Sequence, residues 1–414
     1  MVCSMMRWIL FSASVIQLAP ASYVFNATIV SIFLNSSELT FDSNVIIPAV
    51  GLAVQSVSRL FPHINFQLVV RNSSQTCLEH YAGALAAEIY YQQGATAFVG
   101  PGCSAALDHV GRMASFWNVP AYTAGGLDDS FIRKEIYTTL TRMSFSLDRI
   151  SAFLITVLRE FDWHHIAFLV DETSLQDMLT SKSIEQSIKR VPQYEFFSER
   201  YYFSRHDPPE AITKRLKTAR DRARVFVILC NGDMVRRIML LAHTLGMGNG
   251  DFVFLNVNLI SSQSASNDLS WYKPFDRMNK VAKEMYQSLM LVRVRVPTSK
   301  EYKNFMVMLM KFARDKYDMN IYESDMSPVV AAFYDCVLMY GWSLNETLAD
   351  GGDPLDGRAL VRKLWNNTFK VAFATARVEK VNGKKYYRRR SSSSPSTVGA
   401  GSSGRSSAQC FKST

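Results

Sequence analysis

Three short stretches carry residue types and spacings that could do chemistry. The first is Gly100-Pro-Gly-Cys103, which follows the apolar Phe98-Val99 and opens the helical pattern Ala105 to Asn118. Glycines let backbone N–H groups face outward, and at a helix N-terminus such a turn is a ready anion site. The same four residues would serve equally as a tight turn holding a disulfide. The second is His164-His165 beside Trp163, a pair of the type that ligates metal. Adjacent residues entering a strand point to opposite faces, so the pair reads as structural. The third is Gly246-Met-Gly-Asn-Gly250, which lacks the third glycine spacing of a dinucleotide loop. It also follows a helix, where such a loop must follow a strand, so it reads as a helix stop. Neither a phosphate-binding Gly-x-x-x-x-Gly-Lys-Ser/Thr, nor His-Glu-x-x-His, nor Gly-x-Ser-x-Gly occurs. The inventory favours binding over catalysis, with no metal site and no cofactor beyond a bound anion, and leaves a Rossmann-type enzyme as a distant alternative.

The elements that must position these residues follow two successions. The chain has 414 residues and is 48% hydrophobic, enough for two cores, since one core stops growing near roughly 250–300 residues. The first succession predicts strand at Thr28–Leu34, helix at Val45–Leu60, strand at Phe66–Val70, helix at Tyr81–Gln93, strand at Ala97–Val99 and helix at Ala105–Asn118. The second predicts helix at Leu147–Phe161, strand at His165–Val170, helices near Leu175–Lys189 and Pro209–Asp221, strand at Val225–Leu229, helix at Met234–Leu245 and strand at Phe252–Asn256. Helices return at Ser299–Tyr317, Val329–Leu348 and Gly357–Trp365, the last capped by Asp356. Alternating strand and helix means parallel sheets. The expected fold is therefore α/β, two doubly wound parallel-sheet lobes on the type I periplasmic-binding-protein, or Venus-flytrap, plan. Residues 22–142 with 298–366 form lobe 1, 143–297 with 367–387 form lobe 2, and 388–414 are a Ser/Arg-rich tail expected to be disordered.

Export is written into the N-terminus. Arg7, the apolar run Trp8–Leu18 and Ala19-Pro-Ala21 read as a signal peptide of residues 1–21. Sequons at Asn26, Asn35, Asn72, Asn345 and Asn366 agree as glycosylation sites. The net charge of +10 is not a nucleic-acid signal, because residues 371–414 hold nine Lys/Arg against Glu379 alone, a net +8, and the other 370 residues carry +2. A basic nucleic-acid face would be spread over the folded part. In an oxidising compartment Cys77 and Cys103, each in a turn-rich segment, are the natural pair. Closing that loop contributes roughly 3.5 kcal/mol on the chain-entropy estimate. Cys230 and Cys336 sit on apolar faces and read as buried small hydrophobes. No run of about twenty apolar residues follows the signal, so the chain as written is expected to be secreted.

The segment Phe98 to Gly126 resembles the extracellular ligand-binding domain of natriuretic peptide receptors and receptor guanylyl cyclases. Arg224 to Phe254 resembles that family's second-lobe strand, helix and strand, and Trp365-Asn-Asn-Thr-Phe369 with Val378 to Gly383 its closing segment. The likeness covers roughly Ala27 to Tyr387. It implies a peptide hormone held between two receptor copies, hence a homodimer, with Glu79 and Tyr137 as ligand contacts. It implies chloride at the turn, with Gly102 and Cys103 as backbone donors and Ser73 as a hydroxyl donor, and a half-cystine at Cys103. Two departures stand out. The family's tyrosine two residues after the turn cysteine is Ala105 here, and no cysteine lies between Cys103 and Cys230 to pair with the latter. A receptor guanylyl cyclase would continue into a membrane span and a cyclase domain, whereas this chain passes into Ser/Arg low complexity, so no enzymatic activity is expected of it. The plasma membrane becomes its location only if the complete gene product continues. The alternative binding role is an amino-acid or other small-molecule sensor of the flytrap class.

Overall fold

The computed structural model describes residues 25–33, 43–72, 79–143, 146–192, 195–259, 269–294, 297–371, 374–381 and 384–390. The expected signal peptide, Asn35, Ser73, Cys77 and the tail beyond Arg390 lie outside the described residues.

Lobe 1 is built from β1 (Phe25–Phe33), α1 (Ser43–Leu60), β2 (Ile64–Asn72), α2 (Glu79–Gln93), β3 (Ala97–Val99), α3 (Ser104–Trp117), β4 (Ala121–Thr123) and β5 (Leu140–Arg142). Its five strands are parallel in the order β2-β1-β3-β4-β5. Lobe 2 repeats the scheme with α4 (Leu147–Glu160), β6 (His165–Asp171), α5 (Leu175–Ile188), β7 (Phe197–Phe203), α6 (Pro209–Arg220), β8 (Val225–Leu229), α7 (Gly232–Thr244), β9 (Val253–Val257), α8 (Asn279–Met285) and β10 (Leu289–Val292). Its order, β10-β9-β8-β6-β7, is the same winding. Both match the expected class.

Strands covered on both faces read as continuous apolar runs, as in Val225–Leu229, where all five residues are buried. Alternation sorts them between cores. Ile166, Phe168 and Val170 of β6 face the larger core, which runs under α4 and α5 and on into lobe 1, while Ala167 and Leu169 face the core under α6 and α7. A third core lies between the lobe 1 sheet and α2 with α3. Each fully buried Phe or Leu in these layers contributes about 1.5–3 kcal/mol.

The chain then returns to lobe 1 through α9 (Lys300–Tyr317), α10 (Pro328–Ala349) and α11 (Gly357–Lys363). Tyr334 donates to Ser56 at 3.0 Å and Tyr340 to Thr96 at 2.8 Å, pinning α10 to the first lobe. Asp356 caps α11 as expected, accepting from the amides of Arg358 and Ala359.

Two expectations at the C-terminus are corrected. Residues 367–387, assigned from the sequence to lobe 2, contribute instead to an antiparallel sheet of β11 (Thr368–Val371), β12 (Ala374–Val381) and β13 (Lys384–Arg390). Phe369 is buried against Trp342 of α10, ring centroids 4.8 Å apart at 76°, which holds the sheet's first strand to lobe 1. Arg388–Arg390, assigned to a disordered tail, pair with Thr375–Arg377, because an alternating pattern too short to register as a domain still completes a ladder beside a neighbour.

Candidate functional site

In an open parallel sheet, ligands bind beyond the carboxyl ends of the strands where the winding reverses. In lobe 1 that point lies between β1 and β3, and the turn Gly100–Cys103 leaves β3 there. Gly100 has φ +95°, and a Cβ on it would stand 2.9 Å from the Phe33 ring. The Gly100–Pro101 bond is cis. The turn is then sealed against the segment after β4. The Thr123 hydroxyl donates to the Pro101 carbonyl at 2.7 Å and accepts from the Gly125 amide at 3.0 Å, while the Gly126 amide donates to the Gly102 carbonyl at 2.8 Å. A Cβ on Gly125 would fall 2.0 Å from the Gly102 oxygen, so the two backbones touch. Gly102 and Cys103 are buried, and Cys103 caps α3 with backbone alone. Cys103 is disulfide-bonded, whereas Cys230 and Cys336 are free and buried.

From the sealed turn a line of hydrogen bonds reaches lobe 2. Buried Arg142 donates to the Gly126 carbonyl at 2.7 Å and to that of Asp128 at 3.1 Å, its guanidinium above Phe131. Next to Asp128, the Asp129 carboxyl accepts from the Asp148 amide in the first turn of α4 and from the Ser183 hydroxyl of α5, each at 3.0 Å. Ser183 also meets Ser151 at 3.1 Å. Burial pushes the Asp129 carboxyl up, Ser183 opposes this, and Asp148 adds to the rise. None of these interlobe partners is a motif, and no sequence signal singled them out.

The matching position in lobe 2, between β6 and β8, is polar. Buried Asp171 at the end of β6 accepts from the Thr173 amide and hydroxyl at 3.0 and 2.6 Å and pairs with Arg205 at 3.2 Å. Asp177 nearby is pushed up to about 6 by burial. Burial also raises the Cys230 thiol, with Asp177 and Asp171 adding to it. Asn231 caps α7 through Met234.

The expected ligand contacts separate. Glu79 begins α2. Tyr137, expected as a ligand contact, is buried. Its ring lies 5.0 Å from that of Phe131 and beneath the Arg112 guanidinium, and its hydroxyl donates to Asp108. Burial pushes that hydroxyl up to about 12. The winding of β5 beside α3 closes over the ring, which a local pattern does not reveal. Among the sequons, Asn26 and Asn366 are exposed, Asn345 is half-buried on α10, and Asn72 ends β2.

The His164-His165 pair parts as its strand geometry requires. His164 bonds Asp162 at 2.8 Å and the Glu195 carbonyl at 2.7 Å, while His165 stacks on Phe197 at 5.0 Å. With the Phe161–Trp163 stack at 4.7 Å and the Arg159–Glu195 ion pair, they make an aromatic and charged patch at the amino end of the lobe 2 sheet that the sequence reading missed. Phe161 and Phe197 are 45% and 55% exposed there. Among the described residues no group of three or more His, Cys, Asp or Glu could hold a metal ion.

Residues 47–379 match the family model described as receptor family ligand binding region. Atrial natriuretic peptide receptor 2 of Rattus norvegicus is 27% identical over 326 residues, covering 77% of this chain and 31% of the relative. Atrial natriuretic peptide receptor 3 of Homo sapiens is 28% identical over 349 residues, covering 82% and 63%. The chain thus spans about a third of the length of the first relative and under two thirds of the second. Among solved structures, the branched-chain amino acid transporter substrate binding protein LivJ of Streptococcus pneumoniae, in complex with isoleucine, aligns with a TM-score of 0.55 at 15% identity over 88% of this chain and 99% of that one. The leucine binding protein LivK of Thermotoga maritima aligns at 0.59 and 13% identity over 88% and 98%. At these identities the structural likeness speaks to the fold.

Proposed function

We propose, from the premise that this chain belongs to the receptor family ligand binding region and is related to the natriuretic peptide receptors, that it binds a peptide ligand outside the cell and catalyses no reaction. The observation that carries the choice of a peptide over an amino acid is the seal at the lobe 1 turn. A flytrap site for an amino acid needs free hydroxyls and amides at the carboxyl ends of the strands. Here the Thr123 hydroxyl and the amides of Gly125 and Gly126 are all engaged within the seam. An extended ligand lying across exposed surface fits this arrangement better, and the patch at Phe161, Trp163 and Phe197 offers aromatic anchors of the kind peptide interfaces use. Calorimetric titration of the purified chain with a natriuretic-type peptide and, separately, isoleucine tests this. Saturable heat with peptide and none with isoleucine is expected, and the reverse overturns it.

Three further parts of the reading follow from the resemblance. Chloride binds at the amides of Gly102 and Cys103, aided by Ser73; replacing chloride with a bulky anion at constant ionic strength then weakens peptide affinity, and no change rejects the site. Cys77 is the partner of Cys103, which non-reducing peptide mapping reads directly. The protein works as a homodimer, for which the exposed Tyr91 and Phe116 on α2 and α3, at 75% and 85%, are the supporting surface. No helix among the described residues is long and apolar enough to cross a membrane.

A further inference from the structure

The loop between β9 and α8 carries the most exposed large apolar side chain among the described residues. Phe275 is fully exposed, Tyr272 and Met278 are 52% and 40% exposed, and Pro274 is exposed between them. Phe275 also has φ +61°. A left-handed backbone is uncommon outside glycine, and at a bulky residue its strain persists only where the surroundings over-determine it. A ring in full contact with water makes no packing that offsets this cost.

The surroundings are held tightly. Buried Arg236 of α7 donates to the Trp271 carbonyl at 2.9 Å and to the Asn279 side-chain oxygen at 3.2 Å, and it pairs with Asp276 at 2.8 Å. The same Asn279 oxygen accepts from the Lys273 amide at 2.8 Å, and its Nδ2 donates to the Lys273 carbonyl at 2.7 Å. Lys273 pairs with Asp233 at the start of α7. Both feet of the loop are therefore fixed while its tip is bare, so the tip is a presented shape and not a slack one.

Exposure falls from Phe275 through Tyr272 and Met278 to the half-buried Trp271, over whose ring Lys283 stands at 5.5 Å. Arg277, Lys280 and Lys283 are exposed, and Glu284 is the one exposed acid in residues 269–285, since Asp276 is turned to Arg236. An apolar tip, amphipathic aromatics behind it and cations at their level reproduce the order of a bilayer surface from acyl chains to phosphates.

We infer that this loop docks on an anionic lipid surface, with the Phe275 ring entering the acyl boundary and Arg277, Lys280 and Lys283 meeting the phosphates. A fluid surface takes the protruding tip whole, whereas a protein partner would need a pocket shaped for Tyr272, Pro274, Phe275 and Met278 together. The inference does not depend on the identity of the peptide ligand.

The test measures partitioning of the full chain onto vesicles of phosphatidylcholine mixed with phosphatidylserine and onto vesicles of phosphatidylcholine alone. Each Lys or Arg beside an anionic surface contributes about fivefold, so the parent is expected to prefer the mixed vesicles by about tenfold or more, and Arg277→Gln/Lys280→Gln to lose about as much on them. Phe275→Asn tolerates the left-handed backbone and is expected to melt no lower than the parent, yet to lose about tenfold in binding. Leu355→Ser removes an exposed apolar side chain elsewhere and is expected to bind as the parent does. Phe275→Trp is expected to keep binding and to show added emission that brominated acyl chains quench. No preference for the mixed vesicles, unchanged binding of Phe275→Asn, an equal loss in Leu355→Ser, or unquenched emission from Phe275→Trp overturns the inference.

Discussion

The two lobes are wound in the same strand order, yet at the corresponding point of each sheet they place opposite kinds of chemistry. After β3 stand Gly100-Pro-Gly-Cys103, sealed by backbone contacts to Gly125 and Gly126; after β8 stand Cys230-Asn-Gly-Asp233, facing the buried Asp171 pair with Arg205 and the raised Asp177. Small residues let two backbones meet and make a rigid seam. Buried carboxyls incur desolvation and keep a site that responds to proton concentration. Equal topology therefore supplies a position, and side-chain size and charge decide whether it is a seam or a titrating site.

The widest separation between the lobes is expected from Gly125→Ala. Its new Cβ would fall 2.0 Å from the Gly102 oxygen, and neither backbone has room to move. The loss should be on the order of 4 kcal/mol, enough to abolish secretion of folded protein. Substituting the lobe 2 turn by Asn231→Ala removes only a helix cap and should cost about 1 kcal/mol. Matched thermal melts, or secretion yields where Gly125→Ala does not fold, settle the contrast. Equal effects would mean that the two turns are mechanically alike.

Cysteine substitution sharpens the same contrast. Cys103→Ser removes a disulfide and is expected to cost roughly 2–5 kcal/mol. Cys230→Ala trims a buried free thiol and should cost about 1 kcal/mol. Denaturant midpoints for the two variants, and for the parent with and without reductant, report the difference. A reductant-insensitive parent would break it.

Asp177 gives the lobe 2 position its pH dependence. Its carboxyl binds a proton more tightly folded, near 6, than at its ordinary 3.8, with burial as the cause. The folded state therefore holds more protons than the unfolded state between these values, and the group's contribution to stability falls as pH rises through that window and stays low above it. Asp177→Asn should flatten the slope and raise stability at pH 7 by about 1–3 kcal/mol. Melting temperatures from pH 4 to pH 8 check this, and a variant less stable at pH 7 would show that the carboxylate is a needed partner.

The smallest expected effect lies between the lobes. Asp129→Ala deprives the Asp148 amide and the Ser183 hydroxyl of an acceptor and should cost about 1–2 kcal/mol. If Asp129 ties the lobes together, hydrogen exchange should rise in the first turn of α4 and around Ser183 while the lobe 1 turn stays protected. Exchange that rises everywhere would assign the loss to general stability.

Composition and periodicity by themselves determined β1, β2, β3, β6, β8 and β9, the helices other than α8, the cap at Asp356 and the parallel class, since these depend on spacings within about ten residues, while the short or polar strands β4, β5, β7 and β10 left no such pattern. They also separated the turn cysteine from the two apolar ones, because compartment and local polarity act through sequence alone. Only the tertiary structure decided which residues share a site. Tyr137 reads as a ligand contact until β5 is laid beside α3 and the ring is buried. Asp129 and Ser183, 54 residues apart, meet because α5 of one lobe packs against a turn of the other. Arg388–Arg390 pair with Thr375–Arg377 only through a register that no single strand contains. Burial and pairing are properties of neighbours, and neighbours distant in the chain are chosen by the summed packing of both lobes rather than by any local preference.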